Sequence, residues 1–547
     1  MICRKLVVAL LVTCPASAGA QQDPRIDSVF STWQRTDGPG CIAGVRQNGS
    51  TVHLKAYGMA NLEYGVPLTA ESVSESGSVA KQFTAAVLLL LAREGKLSLD
   101  DDIRKHLPQV PDFGARITLR HLLTHTSGIR DQWALLSIAG WPPGSQVHTI
   151  DQIVYLVSKQ RQLNFPPGEL YLYSNTGYAL LAAVVRKVTG QSMADWSREH
   201  LFRPLGMQHT QWRDDYRRVV PTRATAYSRG AGGAWVQDMP FTMVYGNGGL
   251  LTSIPDMLTW NDALSNGTAP LSREIVRELE TPMRLNDGTE IGYALGLGVN
   301  TWRGIREVAH GGATAGYRTQ LSRWPDQNLS VAVFCNAGNA TPGAYARQIA
   351  QRLLQVPGED VAPAPVVAIT PAELTPLIGA WRDSAWDRTV TTSLQGDQLM
   401  ISAGGPSTPL THLGKLRFWS PVAGDFQFEP SNGTGRVVHQ QDGRHEYLRQ
   451  TPIDTASVSL ADYAGRYYSD ELDVSYEVQI EGGRLTARRT WETPVRLMPV
   501  YRDGFSAPGR TVRFTRDRSG RVTGFRVFAG RALDVGFTRM RDGENGK

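Results

Sequence analysis

Three short segments of this 547-residue chain hold side chains able to do chemistry. The sharpest is Ser76-Gly77-Ser78-Val79-Ala80-Lys81. Ser78 and Lys81 are three positions apart, so one helical turn puts both side chains on the same face. A serine hydroxyl is a weak nucleophile unless a base stands beside it. A lysine is such a base where burial and neighbours favour its neutral form. A helix start also points free backbone N–H groups at incoming negative charge. Taken alone, the pair is also read as a capping serine followed by a solvated lysine.

The second segment is Pro166-Pro167-Gly168-Glu169 followed by Tyr171-Leu172-Tyr173-Ser174-Asn175. Asn175 can donate to and accept from a substrate amide, and Tyr173 can relay a proton where nearby positive charge lowers its pKa. The third is His310-Gly311-Gly312-Ala313. Its glycines let a substrate lie against backbone, and His310 can bond to the tyrosine or to a bound carboxyl group. Each of these also has a local reading, as a core tyrosine with a capping asparagine and as a His-Gly-Gly turn. His121 and His125, four apart on a helix pattern, have the spacing of two zinc ligands. Leu122 stands where the His-Glu-x-x-His motif needs glutamate and no third ligand is evident, so no metal is expected.

The elements that must position these segments fall in a region of about 25–355. Strand patterns at Cys41–Gln47 and Val52–Met59 flank Asn48-Gly49, a hairpin signature. Helix patterns follow at 78–93, 119–124, 150–159, 177–188, 192–201 and 254–263. Strands return at 305–309, 317–324 and 329–335, the last two flanking the turn Pro325-Asp326-Gln327-Asn328. Strands at both ends of the region and helices between them predict an α/β sandwich. Residues 356–371, with four prolines and little periodicity, read as a linker. The remainder is short β runs with frequent glycine and a weak internal repeat. Gly379, Trp381, Gly396, Leu399 and Phe428 recur as Gly465, Tyr467, Gly482, Leu485 and Phe514, a separation of 86 (465 − 379). This predicts two small antiparallel barrels, at 372–452 and 453–547.

Together the three segments resemble the serine β-lactamase and penicillin-binding-protein superfamily, in particular its class C-like branch of D-aminopeptidases, DD-peptidases and esterases. The marks are Ser78-Val79-Ala80-Lys81, Tyr173-Ser174-Asn175 and His310-Gly311-Gly312, in that order. The flanking Leu122-Leu123-Thr124-His125-Thr126-Ser127-Gly128 and Gly248-Gly249-Leu250 fit as well. The resemblance implies a mostly antiparallel five-stranded sheet with a helical domain over residues 21–355. It makes Ser78 the acylated nucleophile, Lys81 the group that helps remove its proton, and Tyr173 the phenol that passes a proton to the leaving group. Asn175, His310, Gly311 and Gly312 would bind substrate. The N–H groups of Ser78 and Ala313 would form the oxyanion hole. His310 stands where many relatives have a lysine, and a neutral imidazole anchors a carboxylate weakly. Small amides or peptides, with D-aminopeptidase activity as one form, fit that departure; an esterase is the alternative, followed by a DD-carboxypeptidase or a weak β-lactamase. The non-enzymatic reading is a sensor or binding protein acylated on Ser78.

The same resemblance makes the first and last strands of the sheet antiparallel neighbours and so implies a Cys41–Cys335 disulfide. It also implies barrels arranged as in bacterial D-aminopeptidases, where a barrel loop enters the cleft. Asp503–Arg510 and Asp470–Asp473 are the candidate loops. Arg488-Arg489 and Arg516–Arg521 read as solvated strand faces and turns.

The first twenty residues read as an export signal. Arg4 and Lys5 precede the apolar run Leu6–Val12, and Ala18-Gly19-Ala20 offers a cleavage site. The rival is a lipid anchor on Cys14, because Leu11-Val12-Thr13-Cys14 is similar to a lipobox. Export leads to the periplasm or the medium. No mature segment reads as a membrane span. With 57 basic against 51 acidic residues and no basic block, the chain gives no case for nucleic acid binding. No cofactor is expected; the expected partner is a small molecule or short peptide.

Overall fold

The computed structural model describes residues 22–354, 356, 367–383, 385–403, 406–420, 424–431, 435–440, 444–451, 459–489 and 493–541. The export signal, Cys14 and most of the linker lie outside them.

The sheet of the first region is antiparallel throughout. Its spatial order is Gly298–Trp302, Ile305–Thr314, Tyr317–Trp324, Leu329–Cys335, Cys41–Gln47 and Ser50–Tyr57. It therefore has six strands where five were expected. The additional one, Gly298–Trp302, carries Asn300 and Thr301 on an exposed edge and shows no apolar alternation. The strand expected at 305–309 runs on to Thr314 through His310-Gly311-Gly312. Glycine pairs weaken strand propensity, but here both edges of the segment are paired or covered.

Alternation along the strands splits the core in two. Ile42, Leu321, Ala332 and Phe334 face a large helical layer, where Lys81–Arg93, Asn175–Thr189 and Ile254–Asn266 pack. Cys41, Ala43, Val45, Val331 and Val333 face the other way, toward Phe30, Trp33 and the helix Pro342–Leu353. Cys41 pairs with Cys335 in register, and their sulfurs are bonded at 2.05 Å. This link closes 294 residues. Cys41→Ala/Cys335→Ala should lower unfolding stability by on the order of 2–5 kcal/mol in denaturant titrations, without changing activity at low temperature.

The tail forms two nearly closed nine-stranded antiparallel barrels. Equivalent strands keep the offset seen in the sequence: Gly379–Asp383 with Gly465–Ser469, Arg388–Gln395 with Val474–Glu481, and Gly424–Pro430 with Arg510–Arg516. Even the interior ring pairs correspond. Trp381 meets Phe428 at 5.7 Å between ring centres, and Tyr467 meets Phe514 at 5.9 Å.

One helix joins the two parts of the chain. Gln132–Ala139 is capped by the Asp131 carboxylate, which accepts from Trp133 N and Ala134 N, and is stopped by Gly140 at φ +98°. Leu135, Ile138 and Ala139 sit in the core of the second barrel with Tyr467, Phe525 and Phe537. The barrel then holds the helix end. Tyr476 Oη donates to the Ile138 carbonyl, and Arg489 Nη1 donates to those of Ser137 and Ile138. Arg489 is therefore a helix-capping cation rather than a solvated one. Arg516 likewise pairs with Asp462 and Asp503. No helix among the described residues is long and apolar enough to cross a membrane.

Candidate active site

Ser78 lies in a single 3₁₀ turn, Gly77–Ala80, which runs directly into the helix beginning at Lys81. The three-residue spacing puts the Lys81 Nζ 3.2 Å from the Ser78 Oγ. Lys81 is fully buried. Its other neighbours are the Asn175 Oδ1 at 3.0 Å and the Asn247 carbonyl at 2.6 Å. A neutral amine has two N–H bonds and one lone pair, and this set matches it. As a neutral amine, Lys81 would give its two hydrogens to Asn175 and Asn247 and turn its lone pair to the serine hydroxyl. Burial pushes the Lys81 ammonium well below the ordinary lysine value, the Asp131 carboxylate opposes this, and the Arg531 charge adds to it.

Asn175 is the first residue of the helix Asn175–Thr189. Its backbone N and its Nδ2 both donate to the Asp131 Oδ2, at 2.7 and 2.9 Å. Asp131 thus orients the amide that orients the lysine. Nothing in the sequence singled it out, because its link to Asn175 spans 44 positions.

Tyr173 is half-buried beside Ser78. Lys81 Nζ is 4.7 Å from its ring centre and the Arg531 guanidinium 4.6 Å. Burial raises the phenol above its usual value, while the Ser78 hydroxyl and the Arg531 charge pull it down. Burial thus moves both groups toward their uncharged forms, a base beside an acid.

His310 lines the cleft, and both of its ring nitrogens have partners within the protein. Its Nε2 is 3.0 Å from the Tyr293 Oη, and its Nδ1 is 2.6 Å from the Gly311 carbonyl. The donors can be assigned along the chain. The Ser174 amide donates to the His125 Nδ1, so His125 carries its proton on Nε2 and donates it to Tyr293. Tyr293 then donates to His310 Nε2, and His310 Nδ1–H donates to the Gly311 carbonyl. Burial, then the Lys81 charge, pulls the His310 pKa to about 4. It is neutral at physiological pH, held between Tyr293 and the Gly311 carbonyl. His121 closes a capping box with Thr118. The two histidines with zinc-like spacing therefore have separate structural partners.

Gly312 faces the turn that carries Ser78. A Cβ there would lie 2.0 Å from the Ser76 carbonyl oxygen. Gly77, at φ +52°, is equally confined: a Cβ on it would lie 2.7 Å from the Ala313 N. These approaches bring the Ala313 amide beside the chain just before Ser78, where two N–H groups can meet one oxygen.

These residues open on a cleft of about 690 Å³. Trp133, Met239, Phe241 and Val244 give it an apolar wall. Of the second barrel, the residue that lines it is Arg531, in the hairpin turn after Val522–Ala529. The two loops expected to enter do not line it. Glu471 of Asp470–Asp473 pairs instead with the buried Arg130, at 2.5 Å. Asp503 of Asp503–Arg510 bonds to Tyr463 and Arg516 of its own barrel.

A hydroxyl held against a buried amine, beside a phenol and a pair of amides, is an arrangement able to carry out nucleophilic acyl transfer. The fold and the comparisons make this a serine hydrolase. Residues 27–355 match the beta-lactamase family, and the chain belongs to it. It is 27% identical over 531 residues to a D-aminopeptidase of Brucella anthropi, across 93% of this chain and 96% of that one. The octameric penicillin-binding protein homologue from Pyrococcus abyssi superposes with a TM-score of 0.55 at 23% identity, covering 78% of this chain and 98% of that one. A D-stereospecific amidohydrolase from Streptomyces sp. gives a TM-score of 0.50 at 24% identity, covering 59% and 97%. The two structures share the fold.

Proposed function

We propose that the protein is an exported hydrolase of small amides or short peptides, of the D-aminopeptidase kind, working through an acyl-enzyme on Ser78. The observation that carries this reading is the buried Lys81 amine, 3.2 Å from the Ser78 oxygen and with both other neighbours acceptors. Lys81 takes the Ser78 proton as Oγ attacks the substrate carbonyl. The amides of Ser78 and Ala313 stabilise the oxyanion. Tyr173 gives its proton to the leaving nitrogen as the C–N bond breaks. The acyl-enzyme therefore stands beside a lysine ammonium and a tyrosine phenolate. Water then attacks the ester and gives its proton to Tyr173, while Ser78 leaves and regains the proton from Lys81. Both groups return to their starting state.

The preference for D-residues is supported by the curated relative, which matches over nearly its whole length. The apolar wall favours a substrate with an apolar side chain next to the scissile bond. The neutral His310 disfavours penicillin-like carboxylates. Export is supported by the N-terminal pattern and by the Cys41–Cys335 bond, which is typical of an oxidising compartment.

One substrate panel tests the reading: D- and L-aminoacyl anilides, short acyl esters, nitrocefin and a D-Ala-D-Ala peptide, with wild type and Ser78→Ala side by side. The expected result is fastest turnover of an apolar D-aminoacyl anilide. Esters turned over fastest without stereochemical preference would replace the peptidase reading with the esterase one. Normal turnover by folded Ser78→Ala would remove both.

A further inference from the structure

The hairpin turn that carries Arg531 is fastened to the catalytic region through the backbone of Arg531 and of Leu533 just after it. The Arg531 carbonyl accepts from the Asn164 Nδ2 at 3.0 Å and from the Asp131 amide at 3.1 Å. Leu533 N donates to the Asn164 Oδ1, and the Leu533 carbonyl accepts from the Arg130 Nε, both at 2.9 Å. The Arg531 side chain takes no part in this fastening. It lines the cleft and lies over the Tyr173 ring, and among the described residues no carboxylate pairs with it.

We propose that Arg531 is a positioning residue of the hydrolytic site, a cation delivered by the second barrel that steadies the negative charge Tyr173 carries once it has protonated the leaving group. The inference rests on the Ser78–Lys81–Tyr173 reading and deepens it. Lys81 faces Tyr173 from the nucleophile helix and becomes cationic during acylation. On the strand side, His310 is neutral at physiological pH and has both ring nitrogens committed. His125 lies 4.1 Å away between ring centres, and burial holds it neutral. Burial likewise keeps Tyr178 and Tyr293 protonated, and the Asp131 charge acts against a phenolate. Arginine keeps its charge at every accessible pH. Arg531 is therefore the permanent cation among the described groups facing this ring.

Two consequences separate this role from a structural one. Without the charge the phenolate is less stable, so kcat falls while KM changes little. Lys81 also loses a repulsive neighbour, its pKa rises, and the acid limb of the kcat/KM profile moves to higher pH.

The experiment compares Arg531→Met, Arg531→Lys and Ser78→Ala with wild type on a D-aminoacyl anilide across pH, with thermal melts of each. Arg531→Met should lower kcat about 10- to 100-fold and move the acid limb upward, and Arg531→Lys should restore most of both. Wild-type kcat and pH profile in Arg531→Met would overturn the proposal. So would a loss confined to the KM of substrates bearing a free carboxylate, which would make Arg531 a substrate clamp. If Arg531→Met melts early, Arg531→Lys decides, because a folded lysine variant with the methionine variant's kinetics also overturns it. Turnover by Ser78→Ala removes the underlying mechanism; an inactive Ser78→Ala beside a wild-type-like Arg531→Met removes only the role of Arg531.

Discussion

Lys81→Met should lower kcat/KM by about 10³-fold or more while leaving the fold intact. Methionine fills a similar volume, but it supplies neither the lone pair facing Ser78 nor the hydrogens taken by Asn175 and Asn247. General-base catalysis by a placed side chain contributes about 10²- to 10⁴-fold, and here the base also fixes Asn175. The pH dependence has a definite sign. Burial lowers the lysine pKa, so the working neutral form is reached at lower pH than for an ordinary lysine. Activity should fall as the solution is acidified through that pKa and hold into the alkaline range, because burial keeps Tyr173 protonated. Whatever activity remains in Lys81→Met should lack the acid limb. A residual rate with the wild-type limb would assign the limb to another group.

Gly312→Ala should cost nearly as much, through backbone alone. The added Cβ would sit 2.0 Å from the Ser76 carbonyl oxygen and 2.3 Å from the Thr319 Oγ1. Real Cβ atoms do not approach backbone so closely, so the strand must move off the turn that carries Ser78. The Ala313 and Ser78 amides then part. Loss of one oxyanion donor typically lowers kcat about 10²- to 10³-fold. The strain itself should cost about 1–3 kcal/mol of stability. Gly311→Ala is the comparison, since its Cβ would press only the end of the Gln320 side chain, at 3.1 Å, with the Thr319 carbonyl oxygen at an ordinary 3.8 Å. It should lose less on both counts, as measured by steady-state kinetics and thermal melts.

What could be read from the sequence follows from the range of each interaction. Ser78 and Lys81 meet across one turn, so their spacing was enough to pair them. The helices at 81–93 and 175–189 are long and apolar, and the barrel repeat survives as matched glycines and rings at one offset. Gly298–Trp302 and the far half of Ile305–Thr314 were not legible, since an exposed edge and a glycine pair erase the alternation that marks a strand. The helix Gln132–Ala139 was missed because its apolar face belongs to a barrel more than three hundred residues later. Asp131, Tyr293 and Arg531 carried no local signal either. Each acts through a partner from another part of the fold. The motif put His310 at the cleft, but its bond to Tyr293 had no local signal.

Acylation of Ser78 by Lys81-assisted attack leaves a covalent mark on that residue. Intact-protein mass spectrometry after brief exposure to a fluorophosphonate, with peptide mapping, tests it most directly. One adduct is expected on the peptide holding Ser78, none in Ser78→Ala, and slow labelling in Lys81→Met. A stable adduct on another residue, or equal labelling of folded Ser78→Ala, would contradict it.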